Sequence, residues 1–242
     1  MTDGFSALES AHHDQEYDPV ALSAAFLRGH RTGADTSAVR EALSSLPESA
    51  LTRLGPEAAR AFWLNCYNAA TQHRLTDAQV PYGDRGAFFA DDAVTVAGAA
   101  LSLDAIEHGI LRDGQSKLGL GYVPRLTASR FERRHTLTRD FRIHFALNCG
   151  AVSCPVIRAY DAETLDETLD AAAQRYLDES ADYDAARNVA RVPRLCIWFR
   201  GDFGGRRGVQ RMLERYEQVP TGARPRLRYA DWNWSLDPGD YH

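Results

Sequence analysis

The chain is short of cysteine, of net positive charge and of long apolar runs. Only four cysteines, Cys66, Cys149, Cys154 and Cys196, occur among 242 residues, too few to build a disulfide-held scaffold of this size. A net charge of −5 gives no overall basic footprint, so no nucleic-acid partner is expected. No run of about eighteen apolar residues is present, so no membrane-spanning helix and no membrane partner are expected. The first residues, MTDGFSALESAHHDQEYD, have neither the basic start nor the apolar stretch of an export signal. The expectation is a cytoplasmic protein whose thiols are reduced and free. A Walker-type phosphate loop, a G-x-S-x-G elbow and an H-E-x-x-H pair are all missing. GDFGG at 201–205 has the letters of a kinase motif without its companions.

What is there is ordinary for a globular protein: 44% apolar and 25% charged residues. Residues 1–17 read as a loose polar tail, and 18–242 as one domain without repeats or a dividing linker. Helices are expected at DPVALSAAFLRGHRTG, opened by Asp18 and Pro19, and at DTSAVREALSSLP. GPEAARAFWLNCYNAATQHRL, 55–75, gives the strongest helix, apolar nearly all round and therefore buried. PYGDRGAFFADD reads as a loop, and AVTVAGAALSL as two strands turning at Gly98. Ser102 then caps a helix, LDAIEHGILR. A long basic loop, DGQSKLGLGYVPRLTASRFERRH, leads to a strand, RDFRIHFAL. A helix over DAETLDETLDAAAQRYLDES, capped by Asp161, and a short strand NVARV follow. PRLCIWFRGDFGG suits either a strand or a short helix. RRGVQRMLERYE is a helix, and PRLRYADWNWSL a terminal strand. Helices come first and the strands are short and do not alternate regularly with helices. The fold class is therefore α+β, with a helical N-terminal half and a small, mainly antiparallel sheet.

Chemistry concentrates in HFALNCGAVSCPVIRAY, 144–160. If 142–148 is a strand, His144, Ala146 and Asn148 share one face and Phe145, Leu147 and Cys149 the other, which makes His144 a poor base for Cys149. Gly150 permits a sharp turn just after the thiol. Small neighbours, Ser153 among them, would let backbone N–H groups approach a reacting carbonyl oxygen. Cys149 can thus be a nucleophile, one half of a reversible disulfide with Cys154, or core. A metal site is not expected, because four residues separate the two cysteines and no second ligand pair is visible. No cofactor is expected. Arg158 offers a planar fork to a carboxylate or phosphate, or a surface ion pair. A thiol nucleophile needs a base, and His108 is the best of eight histidines. Asp104, one turn earlier, could hold its ring, and Glu107 points about 100° away. Asn65, Asn68 and Gln72 lie on one helix face and either line a site or bond loop backbone.

Together, FWLNCYNA, SLDAIEHGILR, RIHFALNCGAVSCPVIRAY, WFRGDFGG and YADWNWSLD resemble, in order and over about residues 55–237, family 547 of the domains of unknown function. The family pattern falls on Asn65, Tyr67, Asn68, Glu107, His108, Cys149, Gly150 and Pro155. The resemblance implies no established reaction; at fold level the family is similar to papain- and transglutaminase-like thiol enzymes. Some relatives carry serine at the position of Cys154, which favours Cys149 as the working thiol. The expectation is a cysteine-dependent hydrolase or acyltransferase acting on an amide, ester or thioester in a small-molecule or peptide-like substrate. Cys149 is its nucleophile, His108 its base, Glu107 or Asp104 orients the ring, and Asn65 serves the oxyanion. Asn68, Asn148, Ser153 and Arg158 would contact substrate. A thiol redox or thiol-transfer protein using Cys149 and Cys154, and a non-catalytic binding domain, are the alternatives.

Overall fold

The computed structural model describes residues 18–76 and 82–237; the expected tail, 1–17, lies outside them. Among the described residues five helices come first: α1 Pro19–Thr32, α2 Ser37–Ser45, α3 Glu48–Thr52, α4 Pro56–Thr76 and α5 Arg85–Ala90. A hairpin, β1 Asp92–Val96 and β2 Ala99–Ser102, precedes a π-helix at Ala105–Leu111. Then come α6 Arg130–His135, a 3₁₀ helix at Phe141–Phe145, α7 Leu165–Ser180, β3 Asp182–Asp184, β4 Val189–Val192, α8 Leu195–Trp198, α9 Gly205–Arg215 and β5 Arg226–Tyr229.

The α+β class holds. The hairpin is antiparallel, β3 pairs antiparallel with β4, and β4 pairs parallel with β5. The core has two adjoining parts. The larger gathers α1, α2, α4, the hairpin and the π-helix around Phe62, Trp63 and Tyr67. The smaller gathers Phe145, α7, β4 and α9 around Phe203 and Leu213. Helix α4 runs between neighbours, so every residue from Ala61 to Gln72 is buried.

Local signals explain much of this. The Asp18 side chain accepts from Val20 N–H at 2.9 Å, and Gly33, in the left-handed region, ends α1. Several elements differ from the sequence reading. PYGDRGAFFADD holds α5, capped by Asp84. The basic loop holds α6, whose Ser129 and Glu132 form a reciprocal capping box. Asp161 is not the cap of α7; it accepts from Glu163 N–H ahead of the Thr164 cap position. RDFRIHFAL is not a strand: 141–145 form the 3₁₀ helix, and Ile143 through Leu147 are buried without alternation. A short apolar run buried on all sides carries no period to read. PRLCIWFRGDFGG resolves as α8. The terminal strand stops at Tyr229, and residues 233–237 instead bond alongside 150–153, with Val152 N–H on Ser235 O and Asp237 N–H on Gly150 O, both at 2.9 Å.

Candidate active site

A cavity of about 470 Å³ opens between the two parts of the core. Cys149, His108, Glu107 and Asp104 all line it, together with Tyr67, His144 and three tryptophans, Trp198, Trp232 and Trp234. Cys149 and Cys154 are joined as a disulfide, so the expectation that both thiols are free is corrected. Cys66 and Cys196 are free and buried. Burial pushes both thiols up, that of Cys196 to about 12, which makes them inert core.

Amide side chains build the loop that carries Cys149. Asn68 accepts from Asn148 N–H at 2.9 Å and donates to Ala146 O at 3.0 Å. Asn148 donates to Pro155 O and accepts from Gly150 N–H, both at 2.8 Å. Gly150 has φ 86°, and a Cβ there would meet Leu75 at 2.9 Å, so the turn after Cys149 requires glycine. Asn65 accepts from Tyr160 N–H and donates to Tyr160 O, both at 2.8 Å. Asn65 and Asn68 are fully buried and bond mainly to backbone, Asn65 donating also to Ser23 Oγ at 3.3 Å, and neither they nor Asn148 line the cavity. For Asn65 and Asn68 the backbone-bonding alternative is the one realised; Gln72, the third amide on that face, is buried away from the cavity, and its Nε2 has no hydrogen-bond partner among the described residues.

Ser153 accepts from Asn233 N–H at 2.8 Å, and its carbonyl accepts from Tyr176 Oη. Ser153 and Arg158 line a second, smaller cavity of about 200 Å³, which shares Cys154 and Pro155 with the first. The disulfide therefore stands between two recesses. Arg158 lies in the recess away from His108.

The π-helix presents the titratable groups. Its Arg112 N–H donates to Glu107 O, five residues back. Arg112 Nη1 lies 2.8 Å from His108 Nδ1. A guanidinium has no acceptor, so Nδ1 must accept, and the ring proton of the neutral imidazole sits on Nε2. Asp104 Oδ1 is 3.5 Å from Nε2 and Glu107 Oε1 is 3.6 Å from Nδ1, both too long for strong bonds. Asp104 is engaged instead by Lys117 Nζ at 2.5 Å, and Glu107 accepts from Tyr67 Oη at 3.3 Å. A base needs a free ring nitrogen, and His108 in this arrangement offers a donor.

Arg112 also reaches Asp202, with Nε on Oδ2 at 2.6 Å and Nη2 on Oδ1 at 3.3 Å. His144 Nε2 meets the same Oδ2 at 2.9 Å, and its ring stacks on Phe199 at 4.0 Å. Burial pushes Asp202 up, but bonds from His144 and Arg112 together outweigh it and hold the carboxyl low. Burial lowers His144 more than Asp202 raises it. Sequence reasoning missed Arg112 and Asp202 and set His144 aside on a strand geometry that does not form. The motifs ILR and RGDFGG held the first two, but pairing across 90 residues has no local signal. The tryptophans sit 5.2–5.8 Å apart, centroid to centroid, as one wall, and Arg85 caps Trp234 at 4.8 Å.

The fold and site define a small α+β domain with a cysteine-lined polar and aromatic cavity. The model of the family described as "Protein of unknown function, DUF547" matches residues 51–177, over half of the chain, and the chain belongs to that family. No curated protein and no solved structure matches it.

Proposed function

We propose that the cavity is the active site of a cysteine-dependent hydrolase or acyltransferase whose working atom is the Cys149 sulfur in the reduced protein. The observation that supports it is the meeting of Cys149, His108 and Glu107 on one cavity from segments far apart in sequence. The Cys149 thiolate attacks the carbonyl carbon of an amide, ester or thioester. His108 Nε2–H donates to the developing oxyanion, and Arg112 acts as a positioning residue that keeps the proton on that nitrogen. Glu107 takes the thiol proton and returns it to the leaving group. Water or a second nucleophile then releases the acyl group and restores the thiol. The aromatic wall suits a substrate with an apolar portion.

A second reading, thiol–disulfide exchange, draws on the bond itself. Cys149 N–H points at Cys154 Sγ at 3.0 Å, which would steady a thiolate left on Cys154 when a substrate thiolate attacks Cys149. The attacking sulfur joins Cys149, the Cys149–Cys154 bond breaks, and a second substrate thiol completes the oxidation.

The test is a panel of esters and thioesters assayed after reduction, with Cys149→Ala and Cys154→Ala variants. Acyl transfer predicts that Cys149→Ala abolishes turnover and Cys154→Ala keeps it. A Cys149→Ala protein with full activity would refute it. Exchange predicts instead that dithiol oxidation needs both cysteines. Because Glu107 holds the proton for the leaving group, activity should fall as the thiol ionises in the free enzyme, near pH 8.5 for an ordinary cysteine, and should show no histidine step near 6.5.

A further inference from the structure

The segment between the π-helix and α6 doubles back on itself. Ser116 N–H donates to Val123 O at 2.8 Å and Arg125 N–H to Gly114 O at 2.7 Å. At the tip Gly119, Leu120 and Gly121 have φ of 100°, 58° and 81°. Gly201 N–H on Leu120 O (2.7 Å) and Arg139 Nη1 on Gly121 O (3.1 Å) fix the tip to the body. The result is an irregular hairpin held as a projection.

What it projects is apolar. Leu118 is 75% exposed, Leu120 42%, Tyr122 59%, Val123 47% and Leu126 90%. Among the described residues these are five of the seven large apolar side chains so exposed, and such a concentration marks an interaction surface. Around them, residues 114–139 contain Lys117, Arg125, Arg130, Arg133, Arg134 and Arg139 against one acid, Glu132. Six cations less one anion leave +5 between Asp113 and Asp140, which bound the stretch, in a chain of −5 overall. Lys117, Arg134 and Arg139 pair with Asp104, Glu48 and Asp113 outside the stretch and Arg125 with Glu132 inside it, and no ion pair engages Arg130 or Arg133 among the described residues.

We propose that this hairpin seats the protein on an anionic phospholipid surface. Apolar side chains with a tyrosine enter the headgroup region while the flanking arginines meet lipid phosphates. Charge decides against a second copy as the occupant. Two such faces meeting about a two-fold axis would bring their basic surroundings together. The lack of a spanning helix among the described residues bears only on transmembrane insertion. Lys117, Leu118 and Leu120 also line the cavity, so its mouth opens beside the docked face. The substrate class that follows, an ester or thioester with an acyl chain drawn from the bilayer, rests on the acyl-transfer reading; the lipid seat does not.

Flotation of the full chain with phosphatidylcholine vesicles, with and without phosphatidylglycerol, tests the seat. Retention is expected on the anionic vesicles and should weaken with salt. Leu126→Asp and Val123→Asp, both off the cavity, should each reduce partitioning by about tenfold or more. Circular dichroism checks that both variants fold. Absence of binding to anionic vesicles, or binding by folded variants equal to that of the parent, would overturn the proposal. So would a dimer in solution, seen by light scattering without vesicles, that Leu126→Asp dissolves. Hydrolysis of a short soluble ester separates the two ideas. Lost flotation with Cys149-dependent hydrolysis intact refutes only the seat. Intact flotation with no Cys149-dependent chemistry leaves the seat supported and refutes the acyl-transfer reading.

Discussion

Two buried polar arrangements flank the cavity and solve the same problem differently. On one side Asn65, Asn68 and Asn148 bond backbone groups of the 146–160 segment. On the other, Arg112, Asp202, His144 and His108 bond one another. The amides are neutral and indifferent to pH, so they fix chain positions. The ionic group fixes proton positions, because a guanidinium dictates which ring nitrogen of His108 may carry hydrogen. A buried site built this way separates shape from protonation, and each half can be disturbed by itself.

The largest disturbance should come from Asp202→Ala. It strands Arg112 and His144 in the interior and should cost about 3–5 kcal/mol in urea unfolding. Asn68→Ala should cost about 2–4 kcal/mol by leaving the Asn148 N–H and Ala146 carbonyl unpaired, with unchanged pH dependence of folding. Arg112→Met removes the lock on the imidazole. Nitrogen NMR of His108 should show the Nε2–H tautomer in the parent chain and a mixture in the variant; a mixture already present in the parent would count against the lock.

Smallest and most gradual is the response to acid. His30, His135 and His144 have pKa values lowered chiefly by burial, His30 to about 4. Each binds its proton more weakly in the folded chain, so the unfolded chain gains protons first as pH falls. Stability should therefore be full above the ordinary histidine value of 6.5 and decline as pH falls from there towards about 4. Asp104, Asp140 and Asp202 are lowered although burial opposes it, because hydrogen-bonded partners outweigh the burial. Their contribution is present above the ordinary carboxyl value of 3.8 and is lost below it. Melting temperature against pH should show both stages, and His30→Asn should flatten the first. A flat profile from pH 7 to 4 would contradict the burial account.

The amide side of the comparison was the more legible in sequence. Asn65 and Asn68 stand on a long helix whose apolar surroundings announce burial, and burial obliges them to find partners. Helices α1, α2, α4 and α7 and the hairpin at Gly98 were legible because their periods and turns are local, although the cap read for α7 was misplaced. Cys149, Glu107 and His108 also stood out, as reactive groups in unusual settings. The ionic side was opaque. Asp202 joins Arg112 across 90 residues, and the wall containing Trp232 and Trp234 forms only when the chain end returns to the disulfide loop. The 3₁₀ helix at 141–145 erased the face argument used for His144. Helix α6 was legible in principle, since Ser129 and Glu132 spell out its cap.

The π-helix has a consequence for how insertions and deletions would act on this protein. Its wide turn holds one residue more than an α-turn, so everything after it is rotated relative to an ordinary helix. Deleting a single residue between Ala105 and Leu111 would swing the following side chains by about 100° while leaving the apolar content almost unchanged. Arg112 would lose its alignment with the imidazole. The same swing would displace the buried Ile110 and Leu111, so one codon's worth of length at this turn would disturb the core and separate chains with a locked ring from chains without one.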